Sequence, residues 1–153
     1  MAKKKPIVLT NGQLEQLQAG DTLDLKNSAT KTNNTGGALT IGTPVYVSGG
    51  NAIPAQADAQ ATIRVAGFIA EVTVADADPT EVISDGVLEA TTGQWDAITG
   101  QVGGLTEGAD YFLDEANAGR MKTSAPTTGF VVRLGHALST TEFEIEVQQP
   151  IKL

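Results

Sequence analysis

Short apolar segments parted by turn residues run through most of this chain. They fall at residues 38–41, 44–47, 63–74, 82–84, 87–90, 111–113, 120–123, 130–138 and 143–147. Between them stand Gly49-Gly50-Asn51, Asp85-Gly86, Gly103-Gly104, Asn117-Ala118-Gly119 and Ser139-Thr140-Thr141. Strand-length segments with turn chemistry at such spacing predict an all-β fold, a small β-barrel or sandwich of short antiparallel strands. Glu142, Glu144 and Glu146 alternate with Phe143, Ile145 and Val147, which predicts a half-buried strand with its carboxylates facing water. One window breaks the period of two. In residues 92–100, Trp95 and Ile98 stand three apart between glycines, which predicts a single helical turn near Trp95, capped by Thr92, stopped by Gly100 and plugging a core.

Residues 1–37 have a different pattern. Ile7-Val8-Leu9 predicts a short strand, Asn11-Gly12 a turn, and Leu14, Leu17, Leu23 and Leu25 are scattered apolar anchors. Residues 26–37 are polar except for Ala29, so burial cannot offset their ordering entropy and they read as a linker, or as a loop fixed only by a neighbour. The expected organisation is an extended N-terminal arm and linker over residues 1–37 and a β-barrel domain over residues 38–153.

Composition narrows the function classes. A chain of 153 residues suits one domain with one core. The absence of cysteine removes disulfides, thiolate metal sites and thiol nucleophiles. No apolar run reaches membrane-spanning length and none follows the Met-Ala-Lys-Lys-Lys start, so the chain is expected to be made and kept in the cytoplasm, with no membrane partner. A formal net charge of −8 argues against direct nucleic-acid binding. Eleven acids and no Lys or Arg lie between Val65 and Gly119, whereas Lys3, Lys4 and Lys5 sit together at the start. The expectation is an acidic, solvated body with a basic arm that seeks an acidic partner surface.

Candidate chemistry is thin. His136, the single histidine, lies in an apolar strand pattern without a Ser-His-Asp signature and reads as structural. Asp76-Ala77-Asp78 with Glu81 offers oxygens for calcium but lacks the spacing of a calcium loop, so a solvated acidic loop is expected. Gly100, Gly103 and Gly104 are followed by more acid rather than by a lysine and a helix, which makes them turn glycines and not a phosphate cradle. No cofactor, no metal and no enzyme activity is expected. A glycan depolymerase would need two converging carboxylates, and no paired motif supplies them.

Several phrases carry a family resemblance. They are Gly42-Thr43-Pro44-Val45-Tyr46-Val47, Ala66-Gly67-Phe68-Ile69-Ala70, Gln94-Trp95-Asp96, Gly103-Gly104-Leu105-Thr106-Glu107-Gly108-Ala109-Asp110-Tyr111-Phe112-Leu113, Ala118-Gly119-Arg120-Met121 and Val132-Arg133-Leu134-Gly135-His136-Ala137-Leu138. Together they resemble a small β-barrel module of tailed-bacteriophage virion proteins, found in capsid decoration (cement) proteins and in some tail-fibre and baseplate proteins. The opening residues 6–23 also resemble a segment that precedes such modules.

The resemblance implies a virion protein of the head surface: a homotrimer that binds the major capsid protein and staples the expanded lattice non-covalently, with no catalytic residues to transfer. Trp95 and Tyr111 would fill the barrel interior or an inter-subunit seam. Partner contacts are expected from the arm, at Lys3, Lys4, Lys5, Ile7, Val8, Leu9, Leu14 and Leu17. A tail-fibre or baseplate adaptor is the alternative, disfavoured by the short chain, and a host-surface adhesin using the Asp76 loop and the Gly49-Gly50-Asn51 tip is a third reading.

Overall fold

The computed structural model describes residues 28–153, and before them the strand backbones β1 (Ile7–Thr10) and β2 (Gln13–Gln16), paired antiparallel from Ile7 opposite Gln16 to Thr10 opposite Gln13. That pairing brackets the expected Asn11-Gly12 turn. Among the described residues the fold is all-β apart from one helix.

The first half of the described chain closes into a barrel. Its strands are β3 (Ser28–Asn33), β5 (Pro44–Ser48), β6 (Asn51–Pro54), β7 (Gly67–Ile69) and β9 (Pro79–Ile83), in the cyclic order β3-β6-β5-β7-β9, while β4 (Leu39–Thr40) and β8 (Thr73–Val74) form a separate small pair. The β5–β6 hairpin turns through Gly49 and Gly50, both at positive φ (58° and 84°), the geometry that matches strand twist in a two-residue loop.

Two expectations change here. The polar segment read as linker supplies β3, which pairs with β9 along five register positions from Ser28 opposite Ile83 to Thr32 opposite Pro79, and with β6 at Thr32 and Asn33. Backbone hydrogen bonds on both edges do for β3 what apolar burial does elsewhere, so its side chains can stay polar and its first three can stay exposed. Residues 28–33 therefore belong to the packed barrel rather than to a linker ahead of Ala38. The strands are also not all antiparallel, because β3 and β6 run parallel. A ring of five strands cannot alternate direction all the way round, so one parallel pair is a condition of closure.

Asn33 ends β3 fully buried, and all its polar capacity is used. Its Nδ2 donates to the carbonyls of Gly37, Val74 and Ala75 at 2.8, 3.0 and 3.1 Å, and its Oδ1 accepts from Thr35. A buried amide so satisfied stitches the end of the barrel strand to two loops.

The second half builds a five-stranded antiparallel sheet. Its members are β10 (Gly86–Glu89), β11 (Asp110–Leu113), β12 (Met121–Lys122), β14 (Arg133–Ala137) and β15 (Glu142–Ile145), in the order β10-β15-β14-β11-β12. Strands β13 (Phe130–Val131) and β16 (Ile151–Lys152) pair with each other. The helix α1 (Thr92–Thr99) has eight residues, longer than the single turn expected, and starts one residue earlier: Thr91 is the N-cap, forming a capping box with Gln94, and Gly100 closes it at φ 70°. No helix of the described residues is long and apolar enough to cross a membrane.

One apolar core joins the two halves. Phe143 of β15 packs against Phe68 of the barrel at 5.6 Å between ring centroids, against Trp95 of α1 at 5.8 Å, and edge-on against Tyr111 of β11 at 5.9 Å. All four rings are fully buried within this one chain, so Trp95 and Tyr111 fill an internal core rather than a seam between subunits. Trp95 Nε1 donates to the Thr141 carbonyl at 2.9 Å, Thr106 N donates to Tyr111 Oη at 2.8 Å, and Tyr111 Oη donates to Gln101 Oε1 at 2.7 Å. A smaller cluster of Leu39, Val45, Ala52, Ile69, Val74 and Val82 fills the barrel side.

Candidate functional site

Arg133 and His136, three apart on β14, reach the same outward face because the β11–β14 register shifts between Tyr111, opposite Gly135, and Phe112, opposite Arg133, and there the neighbouring strands bring Glu144 and other charges beside them. Arg133 Nε and Nη2 both donate to Asp110 Oδ1, at 3.0 and 2.8 Å, and Nη1 donates to Glu146 Oε2 at 3.0 Å. Asp110 holds the Arg133 guanidinium charged more firmly than usual, burial opposes this, and Glu146 adds to it. His136 Nε2 lies 3.3 Å from Glu144 Oε2 and its Nδ1 lies 3.7 Å from Glu146 Oε2. The isolation read from the sequence is thus a property of the linear chain only. Three carboxylates converge from strands that the sequence keeps up to thirty-odd residues apart, and the cross-strand register could not be read without knowing which strands pair.

The other sequence candidates are turn furniture. Gly103 and Gly104 donate their N–H groups to the Asp96 carboxylate at 3.2 and 2.7 Å, so an internal carboxylate sits where a phosphate would have to lie. Asp76 accepts from Gly36 N at 2.8 Å in an exposed loop, and no group of three or more acidic or histidine side chains among the described residues is arranged to hold a metal ion. Glu71 brackets β9, accepting from Thr80 Oγ1 at 2.8 Å and from Glu81 N at 2.6 Å. Much of the acidic run therefore holds loops in place, a use that charge counting does not reveal.

The expected partner residues of the arm fall outside this description. Lys3, Lys4, Lys5 and Leu17 lie outside the described residues, and for Ile7, Val8, Leu9 and Leu14 only the strand backbone is described. After β2 the description resumes at Ser28, the first residue of β3.

Ser28 also borders a surface feature whose charge is opposite to that of the molecule. A shallow cavity of about 220 Å³ beside Ser28 and Lys31 shares Ala66 and Ser84 with a larger cleft of about 620 Å³, so the two form a continuous groove. The cleft is walled by Ile63, Phe130 and Val147, and polar groups come from Arg64, Gln148 and Lys152. Among the described residues no carboxylate lines either cavity, although acids outnumber Lys and Arg by 18 to 10 in the chain. Residues 28–153 contain six cations: Lys31, Arg64, Arg120, Lys122, Arg133 and Lys152. Lys122 pairs with Glu115 and Arg133 pairs with Asp110, while three of the remaining four line this groove without an ion-pair partner among the described residues. Composition predicted an acidic, solvated body with a basic arm and could not show this segregation, because Lys31, Arg64 and Lys152 are far apart in the sequence.

The chain matches no family model, and none of the curated proteins matches it significantly.

Proposed function

We propose that this protein is a structural component of a tailed-phage virion, a capsid decoration protein that binds the outside of the head and stabilises the expanded major-capsid lattice by non-covalent clamping. The observation that supports this reading best is the joint aromatic core. It couples a closed barrel to a five-stranded sheet through Phe68, Trp95, Tyr111 and Phe143, giving a well-packed body to carry the proposed N-terminal arm. A subunit repeated over a lattice needs a surface that is the same in every copy, and a core packed in this way supplies it. Clamping then follows from linkage: a protein that binds the expanded lattice alone stabilises it by mass action, and several arms per homotrimer add avidity.

The arm is the proposed contact, through Lys3, Lys4 and Lys5 and the apolar residues Ile7, Val8, Leu9, Leu14 and Leu17. Deleting residues 1–25 removes the β1–β2 pair and should leave a soluble, cooperatively melting body that keeps the rest of its β-sheet circular dichroism but no longer co-sediments with expanded heads. Retained co-sedimentation would refute the role of the arm.

A further inference from the structure

We propose that the acid-free groove between the barrel and the β13–β16 pair is a docking site for an extended acidic segment of a partner protein, bound by strand addition to β16. This is separate from the role given to the arm, and either can fail without the other.

The first support is charge. Arg64 and Lys152 face the cleft, Lys31 faces its continuation, and no carboxylate of the groove neutralises them. Like-charged side chains gathered without partners repel one another, and the arrangement becomes favourable when carboxylates arrive. The overall charge of −8 argues against a polyanion such as nucleic acid, which would meet the acidic remainder of the surface on every side. A short segment that places a few carboxylates in the groove avoids that repulsion.

The second support is the backbone. Strand β16 pairs only with β13 among the described residues, so its other edge is open. Leu153 N donates to the Gly129 carbonyl, and in an antiparallel ladder the hydrogen-bonded and free positions alternate. The N–H and C=O of Lys152, one position before Leu153, therefore point away from β13 and are available to an added strand. Phe130 and Lys152 are direct cross-strand partners, so their side chains share one face, and both line the cleft. A strand added at this edge would set alternate side chains beside Phe130 and Lys152. The exposed side chains of Ile151 and Leu153 lie on the opposite face, where they would shield the outer side of the added strand.

The third support is the mixture of walls. Phe130, Ile63 and Val147 give an apolar floor, and the Gln148 side chain can both donate to and accept from a peptide group. A segment that alternates acidic and apolar side chains uses both.

The test is calorimetric titration of the full chain with the capped peptide Asp-Leu-Asp-Thr-Asp-Leu, alongside the same peptide with Asn in place of Asp. Binding of the acidic peptide is expected, weakened about tenfold or more by Arg64→Glu with Lys152→Glu and by the Asn exchange. Amide resonances of Lys152 and Leu153 should shift on binding. Arg64 and Lys152 are exposed, so an unchanged melting temperature in the double variant checks that folding is intact. Equal binding by the Asn peptide or by the variant, no binding at all, or preferential binding of a sulfated oligosaccharide at these residues would overturn the proposal.

Discussion

A methyl group at Gly135 has no room. The residue sits in β14 at φ 150°, and a Cβ built there would run into the Glu144 carbonyl of the neighbouring strand. Gly67 has the same relation to the Ile83 carbonyl across the barrel. Both stand in apolar runs where the sequence offers no turn to explain them, so their need for glycine became visible only with the register. Gly135→Ala should destabilise the fold by at least about 2 kcal/mol, read as a lowered urea midpoint, since both backbone conformation and contact oppose it. A midpoint equal to the parent's would mean that the strands can part there at little cost.

The acid response is also set by a few residues. Lys122 donates to Glu115 and holds that carboxyl below its ordinary 4.5. Burial pushes Asp114 up, but the Asn117 amide, the Ala116 N–H and the Lys122 charge outweigh it and hold Asp114 below 3.8. Depressed carboxyls stabilise the folded state above their ordinary values, and that stability is lost as pH falls through the lowered ones. Lys122→Ala should therefore cost stability at neutral pH, and the gap to the parent should narrow at about pH 2 to 3. Urea midpoints at the two pH values read this directly; a constant gap would show that Lys122 acts through packing alone.

At the scale of elements, periodicity found the strands that bury apolar side chains and passed over those that do not. Strands β5, β11, β14 and β15 fall in the apolar segments read from the sequence because each carries apolar side chains into the core, but only β11 and β15 alternate strictly, and the expected segment 130–138 divides into β13 and β14, where Leu134 and Gly135 are both buried. Strand β3 was invisible for the opposite reason: its only buried side chain is a hydrogen-bonded asparagine. The helix was legible from Trp95, Ile98 and Gly100, but its start was misplaced by one residue because Thr91 and Thr92 are both good caps and only Thr91 is placed to accept from Gln94 N, at 3.3 Å. Thr91→Ala should cost about 1 kcal/mol, whereas Thr92→Ala should cost much less. Thermal unfolding followed by circular dichroism distinguishes them, and an equal loss in both would return the cap to Thr92.

At the scale of the whole molecule, the aromatic residues were identified correctly as the packing material, but their address was not. Trp95 and Tyr111 join the barrel to the sheet inside one chain, and Phe143 touches both of them and Phe68. Neither the groove nor the outward Arg133 cluster was legible, because each gathers residues that only the closed topology brings together. Among the described residues, Lys31, Arg64 and Lys152 gather along a groove in a chain of net charge −8.

The central claim is that this body sits on the outside of a phage head. Cryo-electron microscopy of the intact particle tests it most directly. The account predicts density fitted by the barrel and sheet at repeated positions over the expanded capsid, three copies around each local three-fold where major capsid subunits meet. Density for this fold at the tail tip or baseplate and nowhere on the head would contradict it.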